Sequence, residues 1–206
     1  MIKKDPILIT SVPRSGATMI AATINMCGAF AGEIAKRSMF CNDRIREELV
    51  MLQALNIPIG LEWVPTNWKM EIENILIEQG YKKGMWMYKD SNLSKTWQIW
   101  NYAYPNAKWV IVRRRTGDII QSCMKTGYMT EHSTEEGWLT MVHEYEARFV
   151  EMMTEGLNCK IIWPERMVQG NYEQLYELCD WLGLKWNPDA LKYIDSLLWK
   201  SNKIKK

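Results

Sequence analysis

The chain has 206 residues, with 26 Lys and Arg against 24 Asp and Glu. A net charge of +2 supplies no long-range field for a nucleic acid or a membrane surface, so neither is expected as a partner. The length fits one domain over 1–206, and the 47% of apolar residues suffices to bury a core.

In chain order, residues 7–12 form an apolar, β-branched run, as in a buried parallel strand. Pro13-Arg14-Ser15-Gly16 follows, then a helix over 17–26 stopped near Gly28. Asn42 caps a helix to about Leu55, with Pro58 beyond it. Residues 60–68 read as a loop, and Thr66 or Asn67 caps a helix that ends at Gly80. A short strand over 85–88 and a helix over 93–102, stopped by Pro105, come next. Residues 109–112 are a second apolar strand, and a helix over 116–125 follows it. Ser133 and Glu136 have capping-box spacing for a helix to Glu155. Its Trp138, Met141, Tyr145, Phe149 and Met152 make a core stripe. A strand over 160–163 and a helix over 172–182, ended by Gly183, complete the pattern. Alternating strands and helices predict an α/β three-layer sandwich around a central parallel sheet. Ligands of such sheets bind beyond the carboxyl ends of the strands.

Five cysteines, none in C-x-x-C spacing, argue against zinc and against a disulfide framework. No metal-ligand cluster is visible, and no metal is expected. The N-terminal apolar run is broken by Thr10 and Ser11 and leads into Arg14, so it is not a signal peptide. No stretch is long enough to span a bilayer, and a cytoplasmic protein is expected. Eleven Trp and fourteen Met are mainly packing residues. Lys108, Arg113, Arg114, Arg115 and Lys125 suggest a compact positive patch for a small anion. The lysines of 200–206 suggest a solvated surface.

The first chemical signal is strand, Pro13-Arg14-Ser15-Gly16-Ala17-Thr18, helix. Gly16 admits an oxyanion close to the backbone, and the first helical amides point at it. Arg14 adds a fork of donors, and Ser15 and Thr18 add hydroxyls. The loop is not G-x-x-x-x-G-K-[ST]. With Gly16 and Thr18 aligned, Ala17 holds the lysine position and Ser11 that of the first glycine. A kinase would lack the lysine that spans its phosphates.

PRSGAT at 13–18 resembles the PRSGTT loop of sulfotransferases that use 3′-phosphoadenosine 5′-phosphosulfate (PAPS). The family's second motif, an Arg at a strand end with a Ser eight residues on, resembles Arg114 and Ser122 in VIVRRRTGDIIQS. The run Arg113-Arg114-Arg115 leaves that register open by one. YKDSNLSK at 88–95 with YPNAKWVIVRR at 104–114 is similar to the protein-tyrosine branch of the family. LCDWLGL at 178–184 resembles its C-terminal LCDFLGL. The likeness is poor over about 38–84, where acceptor-binding elements would lie.

The resemblance implies a P-loop-NTPase-like sulfotransferase fold. It implies PAPS held by Arg14, Ser15, Gly16, Ala17 and Thr18 at its 5′ end. Arg114 and Ser122 would hold the 3′-phosphate. Ala31-Gly32-Glu33 resembles the GEE segment of the tyrosine branch, which makes Glu33 the expected base. Arg14 and Lys89 are expected to stabilise the leaving group. Cytosolic small-molecule members use a His base and a loop Lys, whereas this chain has Arg14, and His132 and His143 follow the second motif. Pro164-Glu165-Arg166-Met167 stands where the family often has Tyr-Glu-Asp-Leu, so the adenine contact is unassigned. Trp163 could be a stacking face or a core residue. The acceptor is a hydroxyl or amine of a carbohydrate, a small molecule or a protein tyrosine. A P-loop kinase and a non-catalytic PAPS-binding protein are the competing readings.

Overall fold

A computed structural model describes residues 2–34, 40–54, 67–127 and 129–194. Thr66, Pro58, the end of the helix expected near Leu55 and the lysines of 200–206 lie outside these residues, as does most of the loop expected at 60–68. Four strands make one parallel sheet: β1 Ile7–Ser11, β2 Met87–Lys89, β3 Lys108–Val112 and β4 Cys159–Ile162, in the order β2-β1-β3-β4. Register places Ile9 of β1 opposite Lys89 on one side and Val110 on the other. All five β1 residues are buried, so the strand needs no polar face.

Side chains alternate across the sheet and divide the core in two. Ile7, Ile9, Met87, Val110, Val112 and Ile162 face one layer of helices. That layer contains α1 Ala17–Met26, the short α7 Pro164–Val168 and α8 Glu173–Leu182. Leu8, Tyr88, Trp109 and Ile111 face the other layer. There stand α2 Asp43–Ala54, α3 Trp68–Glu78, α4 Trp97–Ala103, α5 Thr116–Met124 and α6 Glu135–Thr154. This is the expected three-layer sandwich. Of the stripe on α6, Trp138, Tyr145, Phe149 and Met152 are buried with Val142, while Met141 packs at the margin. Trp68, Trp86, Trp97, Trp100, Trp109 and Trp138 are buried. Trp100 stacks on Tyr88 at 5.3 Å between ring centroids and meets Trp68 edge-on. These tryptophans fill the core, as their residue type suggests.

Several boundaries move for local reasons. β2 starts at Met87, because Trp86 is bridged instead to Phe30, beyond α1. The expected helix over 93–102 splits in two. A 3-10 turn covers Ser91–Lys95, opened by Asp90 accepting from the Asn92 amide, and α4 follows. Thr134, not Ser133, caps α6, accepting from the Gly137 amide at 3.2 Å. The capping box therefore fails, since Gly and not Glu stands three residues on. Pro164 opens α7 at a position where its missing N–H costs nothing. A further 3-10 turn, Pro188–Tyr193, packs on the end of α1, where Asn187 Nδ2 donates to the Met26 carbonyl.

Strand order fixes where a ligand can sit. The chain leaves β1 through α1 on one face and leaves β3 through α5 on the other. The order reverses between these two strands, so a crevice opens beyond their carboxyl ends.

Candidate functional site

Both sequence motifs lie at that crevice. After β1 the chain turns sharply, with the Ser15 amide donating to the Val12 carbonyl at 3.2 Å. Arg14 adopts φ 72°, a left-handed conformation uncommon outside glycine. Gly16 takes φ 91° as the N-cap of α1, and no side chain caps the helix. Ser15 is fully buried, and its Oγ has no hydrogen-bond partner among the described residues. A buried hydroxyl at the mouth of a helix N-terminus is a donor for an oxyanion.

The second motif comes to the same place from β3. Arg114 Nη1 donates to the Arg14 carbonyl at 3.0 Å. In return, Arg14 Nε donates to Ser122 Oγ on α5, also at 3.0 Å. Residues 100 and 108 positions apart thus form one junction. The three arginines separate cleanly. Arg114 is buried at 6% exposure, whereas Arg115 is exposed. Arg113 turns away to a two-pronged ion pair with Glu146 of α6, its guanidinium 5.1 Å from the Trp163 ring centroid. Of the three, Arg114 is the one that donates to the loop. Burial pulls its guanidinium below the ordinary arginine range, with Asp118 and Glu165 acting in the opposite direction. It stays charged at neutral pH.

Glu165 holds this junction from outside. Its Oε1 accepts from the Arg115 amide at 3.0 Å, where α5 begins without a side-chain cap of its own. A carboxylate there also complements the helix dipole.

The remaining candidates stand along the β2 edge. The bridge from Phe30 to Trp86 runs parallel to β2, so Glu33, three residues further, is carried toward the carboxyl edge that Lys89 also occupies. Glu33 is exposed, and its amide donates to Gln79 Oε1 at 3.1 Å. Asn42 Nδ2 donates to the same oxygen at 2.6 Å. Gly32 permits this turn at φ 68°, where a Cβ would stand 2.2 Å from Gln79 Oε1 and 2.4 Å from Asn42 Nδ2. Gly32→Ala is expected to lower stability by about 1–3 kcal/mol, through both the strained φ and the clash. Chemical denaturation checks it, and an unchanged midpoint would show that Gln79 yields freely.

Lys89 is half-buried at the end of β2. Burial pulls its ammonium below the usual lysine value, while Cys41 and Asp90 act upward. Sequence reasoning missed the cluster next to it. Asp90, 3% exposed at the side chain, accepts from Arg46 Nε at 2.9 Å, Tyr88 Oη at 3.2 Å and Cys41 Sγ at 3.4 Å. Burial and the nearby Asp90 push the Cys41 thiol up to about 12. The cluster pins α2 to the sheet beside Lys89. Its members span 41–90, so adjacency in sequence gives no sign of it.

No family model matches the chain, and no curated protein sequence matches it. Solved structures do resemble it. The sulfotransferase domain from the curacin biosynthetic pathway superposes with a TM-score of 0.63 at 14% identity, covering 95% of this chain and 79% of that one. The sulfotransferase domain from the Synechococcus PCC 7002 olefin synthase gives 0.61 at 17% identity, covering 98% and 82%. The sulfotransferase STF1 of Mycobacterium tuberculosis H37Rv gives 0.54 at 13% identity, covering 94% and 71%. The chain has the sulfotransferase fold.

Within this sulfotransferase fold, one member of the expected basic patch stands apart. Lys108 opens β3 and donates to the Trp181 carbonyl at 2.6 Å. It is therefore at the amino end of the sheet, away from Arg114, and the expected basic patch is not compact. His132 packs edge-on against Trp138, at 4.9 Å between ring centroids, and would meet any Cβ at Gly137. His143 is exposed on α6. Trp163, half-buried, carries the Arg113 guanidinium on its ring. Among the described residues no group of three His, Cys, Asp or Glu could hold a metal, and no helix is long and apolar enough to cross a membrane.

Proposed function

We propose that this protein is a sulfotransferase that takes the sulfuryl group of PAPS to an acceptor hydroxyl or amine. The observation that carries the reading is the junction of Arg14, Arg114 and Ser122 at the reversal of strand order. A ligand with two separated anionic groups matches it, one group on the loop and one on Arg114 and Ser122. The buried Ser15 Oγ, without a hydrogen-bond partner among the described residues, fits the donor set that the first group needs. Arg14, Ser15, Gly16, Ala17 and Thr18 would hold the 5′-phosphosulfate, and Arg114 and Ser122 the 3′-phosphate, as a charge-assisted pair with a hydroxyl beside it.

PAPS supplies an activated sulfuryl group and leaves as 3′,5′-ADP. Glu33 takes the proton of the acceptor as its oxygen or nitrogen bonds to sulfur. Arg14 and Lys89 stabilise the charge that grows on the phosphate oxygen as its bond to sulfur breaks. The direction of the shift at Lys89 suits this role, because a half-buried ammonium is poorly solvated and gains from an anion. The region 38–84 would carry the acceptor, which is a carbohydrate, a small molecule or a protein tyrosine. Its helix α2 is fixed to the β2 edge by Arg46 and Asp90.

Titration calorimetry tests the reading with 3′,5′-ADP, 5′-AMP and ATP·Mg²⁺ in parallel. Micromolar or tighter binding of 3′,5′-ADP is expected, with 5′-AMP weaker by about 30-fold or more for the lost phosphate contact. Equal affinities, or a preference for ATP·Mg²⁺, would remove the assignment.

A further inference from the structure

Two thiols lie in direct contact on the side of the molecule away from the crevice. Cys179 Sγ donates to Cys27 Sγ at 3.8 Å. Cys27 terminates α1 and Cys179 lies in the last turns of α8. With Ala190 of the C-terminal 3-10 turn they form a small buried cluster, packed on by Met26, Leu184 and Trp186. The two residues are 152 apart in sequence. An open groove lined by Tyr176, Asp180, Leu184 and Trp186 leads to Cys179. The other described thiols stand in different surroundings: Cys41 on Asp90, Cys123 in α5 and Cys159 at the start of β4.

We propose that Cys27 and Cys179 are an oxidative cross-linking site that takes a low-molecular-weight disulfide as its oxidant. A disulfide needs sulfurs about 2.05 Å apart, so each must swing by roughly 0.9 Å from its present position. Cys179 lies at the foot of the groove at 1% exposure, so a local opening there brings out its thiolate, which attacks one sulfur of the oxidant and releases the first thiol. Cys27, already in contact, attacks the mixed disulfide and releases the second. Two protein thiols are oxidised to one protein disulfide while one small disulfide is reduced to two thiols, and the protein loses two hydrogens. Burial pushes the Cys179 thiol up to about 12. Exchange is therefore slow at neutral pH and speeds up as pH rises toward that value, because the thiolate is the attacking species.

The cross-link closes a loop that contains β2, β3 and β4 but not β1. It removes entropy from the unfolded chain while tying α1 to α8, two helices already packed together. The gain expected in melting temperature is roughly 5–15 °C for a chain of this size.

The test treats the full chain with oxidised glutathione at mildly alkaline pH, followed by alkylation, non-reducing peptide mapping and thermal melting. The expected result joins the Cys27 and Cys179 peptides, with a melting gain that reductant reverses. Cys27→Ser is expected to stop with glutathione on Cys179 and to show no gain. Persistence of glutathione on Cys179 of the unsubstituted chain would overturn the proposal, since Cys27 would then be out of reach. So would a different cysteine pairing, no cross-link at all, or an equal melting gain in Cys27→Ser. The peptide map of the unsubstituted chain decides the matter even if the variant folds poorly.

Discussion

Arg114→Ala is expected to weaken 3′,5′-ADP binding by about 2–4 kcal/mol, a loss of roughly 30- to 1000-fold. Two effects add to reach that size. A buried guanidinium is a strong, two-pronged partner for a phosphate, and its removal leaves the anion facing a hole. The same side chain also holds the Arg14 carbonyl, so the loop proposed to receive the other anionic group loosens with it. Arg115→Ala makes the comparison sharp. Arg115 contributes its amide to Glu165 while its side chain is exposed, so its truncation should change affinity by no more than about 0.5 kcal/mol. Calorimetry on the two variants reads the difference. Equal losses would return the register to the ambiguity of three adjacent arginines.

Glu33→Gln is expected to lower turnover by about 100-fold or more with 3′,5′-ADP binding nearly unchanged. The amide keeps the shape and hydrogen-bonding reach of the carboxylate but cannot take a proton. The backbone at this position is anchored by Gln79, so the substitution leaves the turn intact. Exposure of Glu33 is consistent with a residue that meets an incoming acceptor, and the region expected to carry the acceptor lies beside it. Transfer of labelled sulfate from PAPS, measured with an acceptor that the unsubstituted protein accepts, supplies the readout. Full activity in the variant would assign the base elsewhere on the β2 edge.

The strands were legible because burial on both faces leaves a mainly apolar, β-branched run, as in residues 7–12 and 109–112. Helix ends were harder. The start of α6 was misread because Ser133 and Thr134 are both competent caps, and only the backbone decides which accepts from the third helical residue. The short α7 has no counterpart among the expected elements, because Pro164 suits a turn as well as a helix start. In the site, Arg14, Arg114 and Ser122 were visible because each belongs to a local pattern of strand, loop and helix. The Asp90 cluster was not, since Cys41, Arg46 and Tyr88 approach it from separate elements and each has an ordinary surface or core role by type. Lys108 was misplaced for a related reason. Five residues of extended chain carry it about 16 Å from the arginines that follow β3 in sequence.

The closed pair of hydrogen bonds between Arg14, Ser122 and Arg114 also bears on how the two ends of a ligand would be felt. Arg114 grips the main chain of Arg14, and the side chain of Arg14 grips α5. An anion that draws Arg114 toward itself therefore shifts Arg14, the residue proposed to receive the opposite end. By thermodynamic reciprocity the reverse holds equally. The halves of the nucleotide should thus bind non-additively.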